Sequence, residues 1–175
     1  MKKTATQTMF YLLITIFFFS CGPSTNDAIK YNDTIVIAQK KVIEKEAVLI
    51  DAINETSDNI DLVYEDFKKE IDSSIVTIKK MEAFDKKTDY KDMALSFFSD
   101  YKEVAENEYK EMISYAKVPD SLYTEEIDNK VLELSKNIDD KINKSIETFI
   151  KFQDNFESKY KFELTEEPMQ EEKRK

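Results

Sequence analysis

Apolar residues recur every three or four positions along most of the chain, from about residue 26 to residue 164. This spacing places them on one face of an α-helix, and the chain has only one Gly and three Pro to interrupt helices. The first predicted helix runs from residue 26 to about residue 54. It carries two adjacent seven-residue columns of apolar side chains: Ala28, Ile35, Val42 and Leu49 in one, and Ile29, Val36, Ile43 and Ile50 in the other.

The same spacing predicts three more helices, over residues 57–84, 89–116 and 124–162. The polar residues 85–88 and the segment around Pro119 separate them. Four amphipathic helices joined by short loops predict an all-α fold, an antiparallel up-down-up-down four-helix bundle over residues 26–164. The alternative is an extended coiled-coil hairpin that dimerises, which the turn signals disfavour. Residues 165–175 are charged, which predicts a disordered tail.

The third and fourth predicted helices carry most of the aromatic residues expected in the core. Their inward positions include Phe97, Tyr101, Phe149, Phe152 and Phe156. A second group of aromatic residues is expected at the borders of the core, where the hydroxyls reach water: Tyr31, Tyr90, Tyr109 and Tyr115. Glu108 and Glu111 fall close to the packing seam, so the second half of the third helix is the least clearly amphipathic part of the bundle.

The first helix breaks its own apolar pattern at Asn32, Gln39 and Glu46, which are seven residues apart and share one face. These three residues form a polar ladder within the most apolar stripe of the chain. Because an unpaired buried polar group costs about 1–3 kcal/mol, we expect partners among the Tyr and Ser residues of other helices. The ladder either fixes the register of the helices or lines a small polar pocket or a groove for a partner helix. Gln39 is expected to be largely buried and hydrogen-bonded to another helix.

The first twenty residues have the pattern of a secretory signal. Lys2 and Lys3 precede an almost wholly apolar run at residues 9–19. At ~1.5 Å per helical residue this run spans roughly 16 Å, about half of the ~30 Å hydrocarbon core of a bilayer. It therefore predicts a signal peptide over residues 1–20 rather than a membrane span.

The only Cys of the chain, Cys21, follows this run directly after the small residue Ser20. The segment Ser20-Cys21-Gly22 resembles the lipobox of bacterial lipoproteins, which signal peptidase II cuts before the Cys. The resemblance implies a thioether-linked diacylglycerol at Cys21 and an N-acyl chain, such as palmitate, on the new amine. Residues 21–25 would then be the lipidated Cys and its spacer, and the lipid bilayer would hold the protein stably through several acyl chains.

The start of the first helix carries a second resemblance. Residues 31–36 (Tyr-Asn-Asp-Thr-Ile-Val), with Gln39 following, are similar to small helical surface lipoproteins of two-membrane bacteria. We expect the lipid-anchored protein in the bacterial cell envelope, with the outer membrane favoured and the outer side of the cytoplasmic membrane as the alternative. The resemblance brings no reaction and no catalytic residue.

Composition excludes several classes of function. The chain has 26 basic and 36 acidic residues, a net charge of −10, which becomes −12 once residues 1–20 and their two lysines are removed. A charge of this sign opposes binding to nucleic acid. With no His, one Cys and one Gly, the chain lacks the parts of a His-dependent nucleophile, an internal disulfide or a Gly-rich phosphate loop. We therefore expect no enzyme activity, no metal centre and no cofactor other than the covalent lipid.

These observations predict a membrane-anchored extracytoplasmic module that binds or organises an envelope protein partner without catalysis. The alternative is an extracytoplasmic carrier of a small apolar ligand. Such a ligand would lie in a seam between the third and fourth helices, lined by Phe97, Phe98, Tyr101, Phe149, Phe152 and Phe156.

Overall fold

The computed structural model describes residues 22–163, and within this range the protein is all-helical and has no strands. The helices are α1 (Thr25–Asn54), α2 (Ile60–Lys80), α3 (Asp89–Val104), α4 (Lys110–Ala116) and α5 (Glu125–Tyr160). A π-helical turn (Ala105–Tyr109) joins α3 to α4 without a break, so these two form the third of four helices. The prediction of an all-helical fold with four helices is confirmed. The predicted signal peptide, Cys21 and the tail lie outside the described residues.

Helix α1 begins at Thr25, one residue earlier than predicted, because Ser24 is its N-cap. The Ser24 hydroxyl accepts a hydrogen bond from the Asp27 backbone N–H (3.2 Å), and the Asp27 carboxylate accepts one from the Ser24 N–H (3.0 Å). This reciprocal capping box satisfies two N–H groups at the helix start. The Ser24 hydroxyl also donates to the Asp27 carboxylate (2.7 Å), and this bond, with the one from the Ser24 N–H, holds the pKa of the Asp27 carboxyl below its usual value. The capping residue therefore lies only three positions after Cys21, and the helix begins one position later.

Helix α2 is shorter than predicted at both ends. At its start, Thr56 adopts a positive φ of 49° and the Ser57 hydroxyl donates to Asn59 Oδ1 (2.6 Å), a local bond that competes with helix formation. At its end, the Lys91 ammonium donates to the carbonyls of Lys79 (2.8 Å) and Met81 (2.5 Å). These bonds take up carbonyls that a continuing helix would have used. The predicted turn at residues 85–88 lies within the longer connection that follows.

The third helix contains the clearest departure from ideal helical periodicity. A regular helix would carry the inward face from Tyr101 through Val104 and Ala105 to Glu108 and Glu111. The π turn at residues 105–109 adds one residue to a turn and rotates the face that follows. Tyr109 and Ile113 are buried instead, Met112 is buried as expected, and Glu111 is exposed. Of the two glutamates near the predicted seam, Glu111 is thereby placed in solvent, whereas Glu108 lies at the edge of the core with its side chain 12% exposed.

The core contains the expected apolar columns with three corrections. The α1 column of Ala28, Ile35, Val42 and Leu49 is fully buried, whereas its neighbour, Ile29, Val36, Ile43 and Ile50, is half-buried. Phe152, expected to point inward, is 37% exposed. Tyr90 and Tyr109, expected at the borders, are buried. Phe152 lies at the edge of the apolar stripe of α5, because Phe149 and Phe156 already occupy its centre.

Candidate functional site

All three residues of the polar ladder are buried in the bundle. Asn32 is 1% exposed, Gln39 5% and Glu46 4%, although all three side chains are polar. The 14 residues that separate Asn32 from Glu46 correspond to about 21 Å of helix, so the ladder extends along much of the core. The candidate site is therefore an internal array with two outer levels, at Asn32 and at Glu46, and a middle level at Gln39.

The Glu46 level joins α1 to the third helix. Tyr109 Oη donates a hydrogen bond to Glu46 Oε1 (2.7 Å), and Tyr101 Oη donates one to Glu46 Oε2 (3.3 Å). Each carboxyl oxygen thus has a phenol donor in an environment almost free of water. Burying a carboxyl group is costly unless its oxygens are hydrogen-bonded, so these two tyrosines are what makes a core glutamate tolerable.

The π turn determines which side chain reaches Glu46. It places Tyr109 inward, where its ring lies edge-on to Phe67 with the ring centroids 5.7 Å apart. Tyr64 of α2 donates to the carbonyl oxygen of Ala105, the first residue of the turn (2.9 Å). Burial raises the pKa of Tyr64, so its hydroxyl remains a donor at neutral pH. Bonds from two other helices therefore meet at the π turn.

The Asn32 level joins three helices. Asn32 Oδ1 accepts hydrogen bonds from Tyr90 Oη of α3 (2.6 Å) and from Gln153 Nε2 of α5 (3.2 Å). Burial, together with the negative charge of Glu157, raises the pKa of Tyr90 and keeps its phenol protonated as a donor. Asn32 Nδ2 is buried without a hydrogen-bond partner among residues 22–163. The amide oxygen is thus the group that connects the helices at this level.

Gln39 does not make the expected hydrogen bond. Its side chain is buried, as predicted, but no hydrogen bond joins its amide to another of the described residues. The expected bond to another helix is therefore wrong. The nearest hydrogen bond across α1 and α2 is made by the preceding residue, whose carbonyl (Ala38) accepts from the Ser74 hydroxyl at 3.5 Å. That bond is made to the backbone of α1 and does not involve the Gln39 amide.

We expect the substitution Gln39→Leu to raise the free energy of unfolding by about 1 kcal/mol, because it buries more apolar surface without removing a hydrogen bond between helices. Urea denaturation followed by circular dichroism measures this change, and amide NMR spectra show whether the fold stays unique. Gln153→Leu is the matched control: it removes the donor to Asn32 and should lower stability by about 1 kcal/mol. A Gln39→Leu variant less stable than the native protein would contradict the interpretation.

Several residues of this array were missed by sequence reasoning. Gln153 lies four positions after Phe149 and three before Phe156, so its place on the apolar stripe of α5 was a readable signal. The general expectation of tyrosine partners is correct for Tyr90, Tyr101 and Tyr109. No signal in the chain identified Tyr109 as inward, because its orientation depends on the π turn.

The phenylalanine seam between the third helix and α5 is filled by its own rings. The Phe97 centroid lies 5.3 Å from that of Phe98 and 5.4 Å from that of Phe149, and all three side chains are at most 1% exposed. The Tyr101 ring packs on Phe97 at 4.9 Å. The side chains proposed to line a ligand cavity therefore contact one another.

A charged cluster covers the outside of the same seam. Lys141 forms ion pairs with Glu103 (2.8 Å) and with Glu108 (2.9 Å), and Ser145 donates to Asp100 (2.7 Å). Hydrogen bonds to the two glutamates raise the pKa of Lys141. A surface groove is lined by Lys141, Glu103, Asp100 and Ser145, together with Phe97. Glu108 lies outside this lining, and its Oε2 is buried without a hydrogen-bond partner among residues 22–163.

Two further observations concern residues 22–163 only. No group of three or more Cys, Asp or Glu side chains in this range has the arrangement of a metal site. No helix in the same range is both long and apolar enough to cross a membrane.

Comparison of the chain with protein-family models, with curated proteins and with solved structures finds no match.

Proposed function

We propose that this protein is a lipid-anchored module of the bacterial cell envelope that binds or organises a protein partner and is not an enzyme. The observation that carries the proposal is the position of Cys21. The residue lies in the lipobox-like segment Ser20-Cys21-Gly22 and only three residues before the capped start of α1. A covalent diacylglycerol and an N-acyl chain at Cys21 would therefore hold a folded helical domain close to the bilayer.

We infer that the four helices run antiparallel, in an up-down-up-down order. Three pairs of consecutive helices pack side by side: α1 with α2, α2 with the third helix, and the third helix with α5. The start of α1 contacts the end of α5, since Thr25 Oγ1 donates to the Tyr160 carbonyl (3.0 Å). Lys117, after the third helix, pairs with Asp61 at the start of α2 (2.5 Å). Both contacts support chain reversal at each connection.

A binding or scaffold role is favoured over catalysis by where the polar groups lie. The ladder residues Asn32 and Glu46 are buried and joined to tyrosines that hold helices together, so their contacts support a role in register. A chain without His also lacks the commonest acid–base group. The apolar-carrier alternative is less well supported, because the rings of the phenylalanine seam pack against each other.

Cys21→Ser is expected to abolish incorporation of a radiolabelled or azide-tagged palmitate analogue and to release the protein from the membrane fraction or stall it as the precursor. The reason is that the thiol is the group to which the diacylglycerol is attached. Ser20→Ala, which keeps a small residue before the Cys, should retain labelling. Intact labelling and unchanged membrane fractionation of Cys21→Ser would refute the anchor.

The two candidate roles differ in what the purified protein brings with it. A scaffold should be free of bound small molecules in native mass spectrometry and should capture an envelope protein when cells are cross-linked. A carrier should retain a lipid-like molecule after purification. The outer membrane is the membrane in which we expect the anchor, and separation of the two membranes on a density gradient checks that expectation.

A further inference from the structure

The end of the bundle next to Cys21 is closed by a compact group of rings and loops. We define this anchor-side end as residues 22–31, 81–88 and 156–163. Phe84, in the connection between α2 and α3, lies with its ring centroid 4.9 Å from those of Tyr31 and Tyr160. The Asp85 carboxylate accepts hydrogen bonds from Tyr160 Oη (3.0 Å) and Lys159 Nζ (3.2 Å), and these bonds lower its pKa.

These contacts give the anchor-side end a packed surface with aromatic edges. Phe84, Tyr160 and Phe162 are each half-buried, so part of every ring remains open to the surroundings. The connection is shaped by positive φ at Asp85 and Lys86, and the end of α5 by positive φ at Lys161. Aromatic rings with one apolar and one wet side are favoured at the level of lipid headgroups.

The charge of this end differs from that of the rest of the protein. Residues 79–91 hold five lysines and three acids, and Lys86, Lys87 and Lys161 are exposed. Residues 103–128, which include the opposite end of the bundle, hold eight acids and two lysines. The anchor-side end as a whole holds five lysines and five acids, so it is neutral in a chain with a net charge of −10, and the excess negative charge lies elsewhere. Phosphates of lipid headgroups are the charge complementary to the lysines of this end.

The tether is too short to hold this end away from a membrane. From Cys21 to Thr25 the chain reaches ~14 Å even when fully extended. A bundle of helices each about 10–12 Å wide has an end about 20 Å across, larger than the reach of the tether. We propose that the anchor-side end rests on the bilayer, with Lys86, Lys87 and Lys161 at headgroup phosphates and Phe84 and Phe162 at headgroup depth. This inference rests on the lipid anchor of the proposed function.

The test places a fluorescent label at each end of the full-length, lipidated protein. Ala83→Cys labels the anchor-side end, and Ser121→Cys labels an exposed position of similar size at the opposite end. Both proteins are reconstituted into vesicles of phosphatidylethanolamine and phosphatidylglycerol that contain a lipid with a nitroxide on its headgroup. We expect several-fold stronger quenching at position 83 than at position 121.

The double variant Lys86→Glu/Lys87→Glu should reduce quenching at position 83 several-fold, because reversed charges are repelled by the phosphates. Lys130→Glu/Lys136→Glu, with the same change of charge on exposed positions of α5, should leave it unchanged. These outcomes are judged with protein that is acylated and inserted in the vesicles. Equal quenching at positions 83 and 121 would then overturn the inference, and so would the absence of any effect of the Lys86/Lys87 reversal. If the native protein carries no acyl chain, the proposed function is refuted instead.

Discussion

Glu46→Ala is expected to lower the free energy of unfolding by about 3–5 kcal/mol. The substitution removes the acceptor of two buried phenol hydroxyls, those of Tyr101 and Tyr109, and each unsatisfied buried hydroxyl costs about 1–3 kcal/mol. It also leaves a cavity where most of the glutamate side chain was. This loss would be a large part of the stability of an ordinary domain of this size, which is about 5–15 kcal/mol.

Urea denaturation of Glu46→Ala and of Glu44→Ala measures the effect against a matched control. Glu44 lies two residues earlier on the same helix and is exposed, so its substitution should change stability by less than about 0.5 kcal/mol. Tyr109→Phe removes one donor, and its effect should be much smaller in the Glu46→Ala background, since the two side chains share a hydrogen bond. A loss below about 1 kcal/mol in Glu46→Ala, or full additivity with Tyr109→Phe, would contradict this account.

The helices could be predicted because their signals are local. Apolar spacing, the scarcity of Gly and Pro, and Thr124 before two glutamates lie within a few residues of the structure they describe. The structure places Thr124 at the N-cap of α5, where its hydroxyl accepts from the Ile127 N–H (3.4 Å). The C-terminal end of α2 was harder to predict because it depends on Lys91, which lies ten residues beyond Met81 and binds its carbonyl.

The burial of the polar ladder could be predicted for a similar reason. A seven-residue spacing within an apolar stripe places Asn32, Gln39 and Glu46 on the buried face of α1 whatever the other helices do. Their partners could not be predicted in the same way, because a partner is chosen by packing between helices. Tyr90 could be buried only because Asn32, 58 residues earlier, accepts a hydrogen bond from its hydroxyl.

The π turn is the element for which the residue pattern was read incorrectly. An α-helical wheel carries the inward face from Tyr101 to Glu108, and one inserted residue moves it to Tyr109. A regular helix would bury Glu108 and would leave Glu46 without the hydrogen bond from Tyr109, the closer of its two phenols. The π turn instead places the Glu108 side chain at the edge of the core, where it is 12% exposed and pairs with Lys141 (2.9 Å), and it places Tyr109 at Glu46 (2.7 Å). The hydrogen bond that favours this turn is therefore made to Glu46, a residue of another helix.

Phe97→Ala is expected to lower the free energy of unfolding by about 3–5 kcal/mol, because a fully buried ring is removed and its neighbours Phe98, Tyr101 and Phe149 lose their packing partner. Phe152→Ala is the matched control on α5. That ring is 37% exposed, and its loss should cost about 1 kcal/mol or less.

Comparison of Phe97→Ala with the native protein distinguishes a filled core from a seam that binds a ligand. In a filled core, Phe97→Ala creates a new cavity, so a small apolar molecule such as benzene should restore part of the lost stability in the variant and have no effect on the native protein. In a carrier, the native protein would itself be stabilised by an apolar ligand, and truncating Phe97 would weaken that effect. Thermal unfolding of both proteins with and without benzene measures the difference. Stabilisation of the native protein, with a small cost for Phe97→Ala, would favour the carrier over the scaffold.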